Sequence, residues 1–193
     1  MRIDPSRLPD DDKFRELVLF ICQRSEGDPQ FGATKLNKLL FYSDFLAFRK
    51  LGKAITWHRY QRLPQGPAPR ALLPLLADME AAGDIARGER NYFGRVQKRT
   101  FALRDARLEE FTADEIALVS ELIRDCWGKN ATEISLMSHR FRGWKMAEDG
   151  EDIPYETVLV QFQRPRDTDR ARGDAIADEL LSLAKECPLG DDR

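Results

Sequence analysis

A mainly α domain of α+β character is predicted, a helical domain around one central buried helix with a small β-hairpin. Three observations predict it. The stretch Ala33–Lys50 (ATKLNKLLFYSDFLAFRK) holds no Gly or Pro and is apolar over most of a helical wheel, as expected of a helix enclosed by others. Other segments repeat apolar residues at three-to-four spacing, the helical period. Two short β-like segments flank Asn91–Gly94, the pattern of a hairpin.

Met1–Asp10 carries two prolines and no periodicity and reads as a flexible lead. Asp10–Asp12 then supply an N-cap and an acidic first turn, and Phe14, Leu17, Val18 and Ile21 form the stripe of a first helix ending near Ser25. Glu26–Gln30 is a turn. In the central helix, Leu36, Leu39, Leu40 and Leu46 cover one side and Phe41, Phe45 and Phe48 another. Lys35, Lys38, Tyr42 and Arg49 form its solvent window. Gly52 stops the helix in the left-handed conformation. Ile55–Leu63, with Ile, Thr, Trp and Tyr, reads as a strand or extended segment. The prolines of Pro64–Pro69 break it and impose a rigid loop.

Arg70–Ala82 is helical up to Gly83. Pro74 either kinks this helix or belongs to the first turn of one that starts later. Ile85–Arg90 and Arg95–Leu103 form the hairpin. Thr112–Glu115 resembles a capping box and opens a helix striped by Ile116, Val119, Leu122, Ile123 and Cys126. Thr132 caps a short helix to His139. Arg140–Glu151 reads as irregular, and Pro154–Val160 as either helix or strand. Pro165–Cys187 closes the chain with a stripe of Ile176, Leu180, Leu183 and Cys187. Residues 11–160 are expected to form the domain, with 161–193 a C-terminal helix and tail packed on it.

The 193 residues suffice for one substantial domain, and 42% hydrophobic content for its core. Lys and Arg number 31 against 33 Asp and Glu, a net charge of −2, which argues against bulk binding of nucleic acid by the whole chain. No apolar run is long enough to span a membrane, and the N-terminus lacks a signal core. The three cysteines are dispersed and read as reduced thiols, so a cytoplasmic location is expected.

Chemistry is scarce. No phosphate-binding, dinucleotide-binding or serine-hydrolase motif occurs. His58 and His139 are far apart and fit no local metal-ligand spacing, so no catalytic residues, metal or cofactor are predicted. One conflict is informative. Asn37 and Asp44 stack on one face of the central helix, among apolar neighbours, and a buried carboxylate must find a cation or several donors. Asp44 reads first as a structural anchor, for which Arg59, Arg62 and His58 are the nearest candidates. A place in a partner groove and a catalytic role are the alternatives. Arg87, Arg90, Arg95, Lys98, Arg99, Arg104 and Arg107 make the hairpin basic. These charges read first as a solvated hairpin edge that resists edge-to-edge pairing; the alternatives are a winged-helix-like wing, together with the preceding helix, or a patch for an acidic protein.

Several of these pieces together resemble the Panacea domain of SocA-like, phage-associated antitoxins. They are Thr34-Lys-Leu-Asn-Lys-Leu-Leu-Phe-Tyr-Ser-Asp-Phe45, Gly52-Lys-Ala-Ile-Thr56 and Tyr60-Gln-Arg-Leu-Pro-Gln-Gly-Pro67, followed by Glu133–His139, Gly143-Trp144, Gly150 and Ile153–Thr157. The likeness spans about Phe14–Val160. Gln65 stands where this subgroup is expected to carry His.

The resemblance implies an α-rich, non-enzymatic fold and an antitoxin of a toxin–antitoxin system. Its partner would be a co-encoded toxin, neutralised by direct binding, with a protease as a further partner if the chain also acts as a proteolytic adaptor. Arg62, Gln65, Gly66, Pro67, Arg95, Lys98 and Arg99 are the expected partner-binding residues, and Asn37, Asp44 and Arg59 the expected polar anchors. The alternative is a DNA-binding transcriptional regulator using the helix and hairpin.

Overall fold

The computed structural model describes residues 8–92 and 95–160. These lie in the unit Met1–Val160. The terminal stretch from Gln161, where the sequence places a last helix and Cys187, lies outside the described residues. So does the lead before Leu8.

Six helices and two small antiparallel sheets occur among the described residues. Helix α1 (Asp11–Arg24) starts at Asp10, whose carboxylate accepts from Lys13 N at 2.9 Å. Helix α2 (Ala33–Leu51) is the predicted central helix. Strands β1 (Tyr60–Gln61) and β2 (Ala68–Pro69) pair across the proline-rich loop. Helix α3 (Leu72–Ala81) places Pro74 in its first turn, where the missing N–H has no helical acceptor to lose. Strands β3 (Ile85–Tyr92) and β4 (Arg95–Ala102) form the hairpin, from Ile85 opposite Ala102 to Tyr92 opposite Arg95. Helix α4 (Ala113–Cys126) has the Thr112–Glu115 capping box. Helices α5 (Ala131–His139) and α6 (Arg142–Met146) follow, then a 3₁₀ turn, Tyr155–Leu159.

Helix α2 is the hub: α1, α4, α5, β2, β4 and the 155–159 turn all pack on it. Its Leu36, Leu39 and Leu40 join a core made with α1, α3 and α4. Its Phe41 and Phe45 join Tyr60 and Ile153, against Phe141, Trp144 and Tyr155. Because both sides are taken, the predicted solvent window is only partly one. Arg49 is exposed and Tyr42 half-buried, but Lys35 and Lys38 are 1% and 2% exposed. Lys35 Nζ donates to Asp28 at 2.6 Å and to the Cys126 carbonyl at 3.0 Å, tying the start of α2 to the preceding turn and the end of α4.

Asp44 is fully buried and accepts from Thr56 N at 2.7 Å, Thr56 Oγ1 at 2.5 Å and the Tyr60 hydroxyl at 2.7 Å. Three donors from the segment after the helix therefore hold this carboxylate, and no arginine among the described residues bonds it. Arg59 instead pairs with Asp152 at the surface. Asn37 is only half-buried, and its amide donates to Ala33 O of its own helix, so it does not anchor the following segment.

The Asp44 contacts also shorten the predicted Ile55–Leu63 strand to two residues. Thr56 N is spent on Asp44 and Thr56 O accepts from Asp10 N at 2.9 Å, which leaves this backbone without a ladder partner. The short-helix cap is Asn130 rather than Thr132, with Glu133 completing the capping box. The 142–146 helix within the stretch read as irregular is a further difference.

Asp44→Ala leaves the Thr56 N–H and hydroxyl without their acceptor, while the Tyr60 hydroxyl keeps Leu40 O at 3.0 Å, and is expected to cost roughly 3–5 kcal/mol. Chemical denaturation measures it, with Asp44→Asn expected to lose less.

Candidate functional site

The proline-rich loop between β1 and β2 is held on both limbs, at Arg62 and Leu63 and at Gly66 and Pro67. Gly66 N donates to Leu63 O at 2.8 Å, closing a tight turn. Arg62 N donates to Glu151 O, Gly150 N to Arg62 O and Ile153 N to Tyr60 O, at 2.8–2.9 Å, so the 148–153 segment runs along β1. The Trp144 indole N–H donates to Leu63 O at 3.0 Å. The Arg62 guanidinium lies 4.7 Å from the Trp144 ring and pairs with Asp149. His139 stacks on Trp144, with 4.2 Å between ring centroids. Asp152 receives both Arg59 and Arg70, and these salt links hold its carboxyl below the usual range despite partial burial.

Beneath the loop lies Lys38. Its Nζ donates to the Pro67 carbonyl at 2.9 Å, and no ion pair reaches it among the described residues. Burial pulls its ammonium down to about 8. Gly66 sits directly above, at φ +97°, where L side chains are strained. A Cβ there would overlap Ser138 Oγ and come within 3.0 Å of Lys38 Cε and Nζ. The loop can take this shape only with glycine at 66.

This geometry corrects the predicted contact set. Gly66 and Pro67 face inward and are buried, whereas Pro64 and Gln65 are exposed at the tip. Arg99 is 6% exposed. Its guanidinium donates to the carbonyls of Ser25, Glu26 and Asp28, so it fixes the hairpin to the α1–α2 turn and presents little surface to solvent.

Much of the remaining basic hairpin is likewise engaged. Arg87 pairs with Glu80, and both Arg104 and Arg107 bond Glu16. Burial pushes the Glu16 carboxyl up, but these arginine bonds outweigh it and leave the group below its usual range. Lys98 is exposed beside a cavity of about 720 Å³ between β4 and the first turns of α2 and α5. Arg95 pairs through its backbone with Tyr92; its side chain is outside the described residues.

No group of acidic, His and Cys residues among the described residues could hold a metal. His58 stacks on Phe14 at 4.0 Å, away from His139, and burial lowers its pKa, partly countered by Asp44 and Asp11. Cys22 and Cys126 are free, buried thiols. No helix among the described residues is long and apolar enough to cross a membrane.

A family model for the antitoxin SocA-like Panacea domain matches residues 36–145. The chain belongs to the SocA-like Panacea-domain family. The match runs from the first turn of α2 to α6, narrower than the Phe14–Val160 likeness read from the motifs, and contains Lys38, the loop, Ser138 and Trp144. No curated protein and no solved structure matches the chain.

In three dimensions the separate Panacea motifs touch. Lys38 of the central helix meets the Gly66-Pro67 loop, and Trp144 meets Leu63. Gly143 lets α6 close on the last motif, since a Cβ there would overlap Thr157 and Ile153. Sequence reasoning missed Lys35 and Lys38 because it placed both in the solvent window of the central helix. The available signal was that a helix apolar nearly all round has little solvent side to offer.

Gly66→Ala is expected to destabilise the domain by about 2 kcal/mol or more, read by thermal or denaturant unfolding. For Lys38, the folded pKa of about 8 lies below the ordinary 10.5, so the unfolded chain binds more protons between these values. Its contribution to stability should therefore rise with pH from about 8 towards 10.5, by at most about 3 kcal/mol. Unfolding of the wild type and Lys38→Met at pH 7.5 and 9.5 checks this: the wild type should gain relative to the variant.

Proposed function

We propose that this chain is the antitoxin of a toxin–antitoxin pair and neutralises a co-encoded toxin by binding it directly through the Pro64–Gln65 tip and its surroundings. Membership of the SocA-like family carries the reading. The loop supports the choice of surface. Its backbone is tied to α2, α6 and the 148–153 segment while the tip stays exposed, so little conformational entropy remains to be lost on binding. Leu136 and Met137, 57% and 38% exposed, lie on α5 next to Ser138, which abuts Gly66. Rigid polar tip and apolar neighbour together make a surface for a protein partner.

Neutralisation on this reading is sequestration. The toxin is held by surface complementarity, and no group on the antitoxin needs to react.

The experiment is co-expression and co-purification with the product of the neighbouring reading frame. That product should arrest growth alone, and the chain should rescue growth and co-purify with it. A Pro64→Ala/Gln65→Ala double variant should weaken the complex at least tenfold with unchanged thermal stability, while Arg90→Glu and Lys98→Glu change it less than threefold. A harmless neighbour product, or no complex, removes the antitoxin reading. The opposite pattern of variants moves the surface to the hairpin.

A further inference from the structure

Lys38 is an expensive residue for its place. It is 2% exposed, no carboxylate pairs with it among the described residues, and its one hydrogen-bond partner there is the Pro67 carbonyl. An uncompensated buried ammonium is destabilising relative to an apolar side chain of similar length. Lys35, three residues earlier and equally buried, does have a carboxylate, Asp28. Stability alone therefore explains Lys35 but not Lys38.

What Lys38 does touch is the loop. Nζ holds the carbonyl of Pro67, and its Cε and Nζ line the space over which Gly66 folds at φ +97°. Ser138 Oγ closes the other side, its hydroxyl donating to Ser135 O. Trp144 holds the opposite limb through Leu63 O. The Trp144 clamp fixes the residue before the tip and the Lys38 clamp the residues after it, with Pro64 and Gln65 projecting between.

We propose that Lys38 is a positioning residue: from the buried hub helix it locks the 63–67 loop into the shape that presents Pro64 and Gln65 to a partner, at a cost in stability. The role in presentation rests on the antitoxin reading above; the locking of the loop does not. Lys38 touches no partner itself. Its effect on binding passes entirely through the conformation of the loop.

Lys38→Met keeps the length and removes the donor and the charge. At pH 7 its melting temperature should equal or exceed that of the wild type. Exchange of the hydrogen-bonded Arg62 and Gly66 amides of the 62–67 segment in the free protein should accelerate at least tenfold, with exchange in α1, α2 and α4 unchanged. Binding to the purified product of the neighbouring reading frame should weaken at least tenfold. In a double-mutant cycle with Gly66→Ala, the effects on binding should be far from additive, because both act through the same loop.

Unchanged exchange in 62–67 overturns the proposal. So does faster exchange throughout the domain with a lowered melting temperature, which would make Lys38 an ordinary fold anchor. If the wild type binds and Lys38→Met binds equally well despite a loosened loop, the presentation role is overturned. If the wild type itself does not bind, the antitoxin reading fails, and the exchange comparison alone decides whether Lys38 locks the loop.

Discussion

A buried carboxylate organises this fold. Asp44 lies in the middle of α2, and Thr56 and Tyr60 give it three hydrogen bonds from the segment that follows. Burial pushes its carboxyl up, and these donors offset the rise only in part. An unpaired carboxylate in that position would cost several kcal/mol, so the chain after Gly52 has little freedom to dock elsewhere. Tyr60 thus becomes the start of β1, and β1 sets where the proline-rich loop begins. The aromatic cluster of Phe41, Phe45, Tyr60 and Tyr155 packs around the same point, with the Tyr155 hydroxyl donating to His58 O. One polar knot in an apolar helix specifies the register of everything attached to it.

Two buried lysines on the same helix do related work with opposite economics. Lys35 is neutralised by Asp28 and joins α2 to the end of α4, a paired charge whose separation would be costly. Among the described residues, the Lys38 ammonium meets only a carbonyl. A stability criterion alone would replace it with methionine or leucine, and local departures from such criteria concentrate where function constrains the chain. On the proposed reading, the constraint is the shape of the loop above it.

The architecture was legible where local rules decide it. The α2 span, the hairpin, the Thr112 cap and Asp44's need for partners in the next segment all follow from composition and periodicity over a few residues. What was not legible depends on long-range partners. Arg99, Arg104 and Arg107 look like a basic surface until Glu16 and the carbonyls of the α1–α2 turn come into contact with them. Arg59 sits in sequence beside Asp44's true partners, yet it is drawn outward by Asp152. Lysine on a helix is ordinarily solvated, and only the enclosure of α2 over most of its surface reverses that for Lys35 and Lys38. The same enclosure separates Gly66 and Pro67, which shape the loop, from Pro64 and Gln65, which it displays.

On the proposed reading, α2 presents the loop as a ready-made contact surface. The most direct measurement of this is the hydrogen-exchange difference between the free chain and its complex with the product of the neighbouring reading frame. New protection is expected on 62–67 and the exposed face of α5, with the Arg62 and Gly66 amides already slow to exchange in the free protein. Protection confined to the β3–β4 hairpin, or a loop that exchanges freely until the partner binds, would contradict this reading.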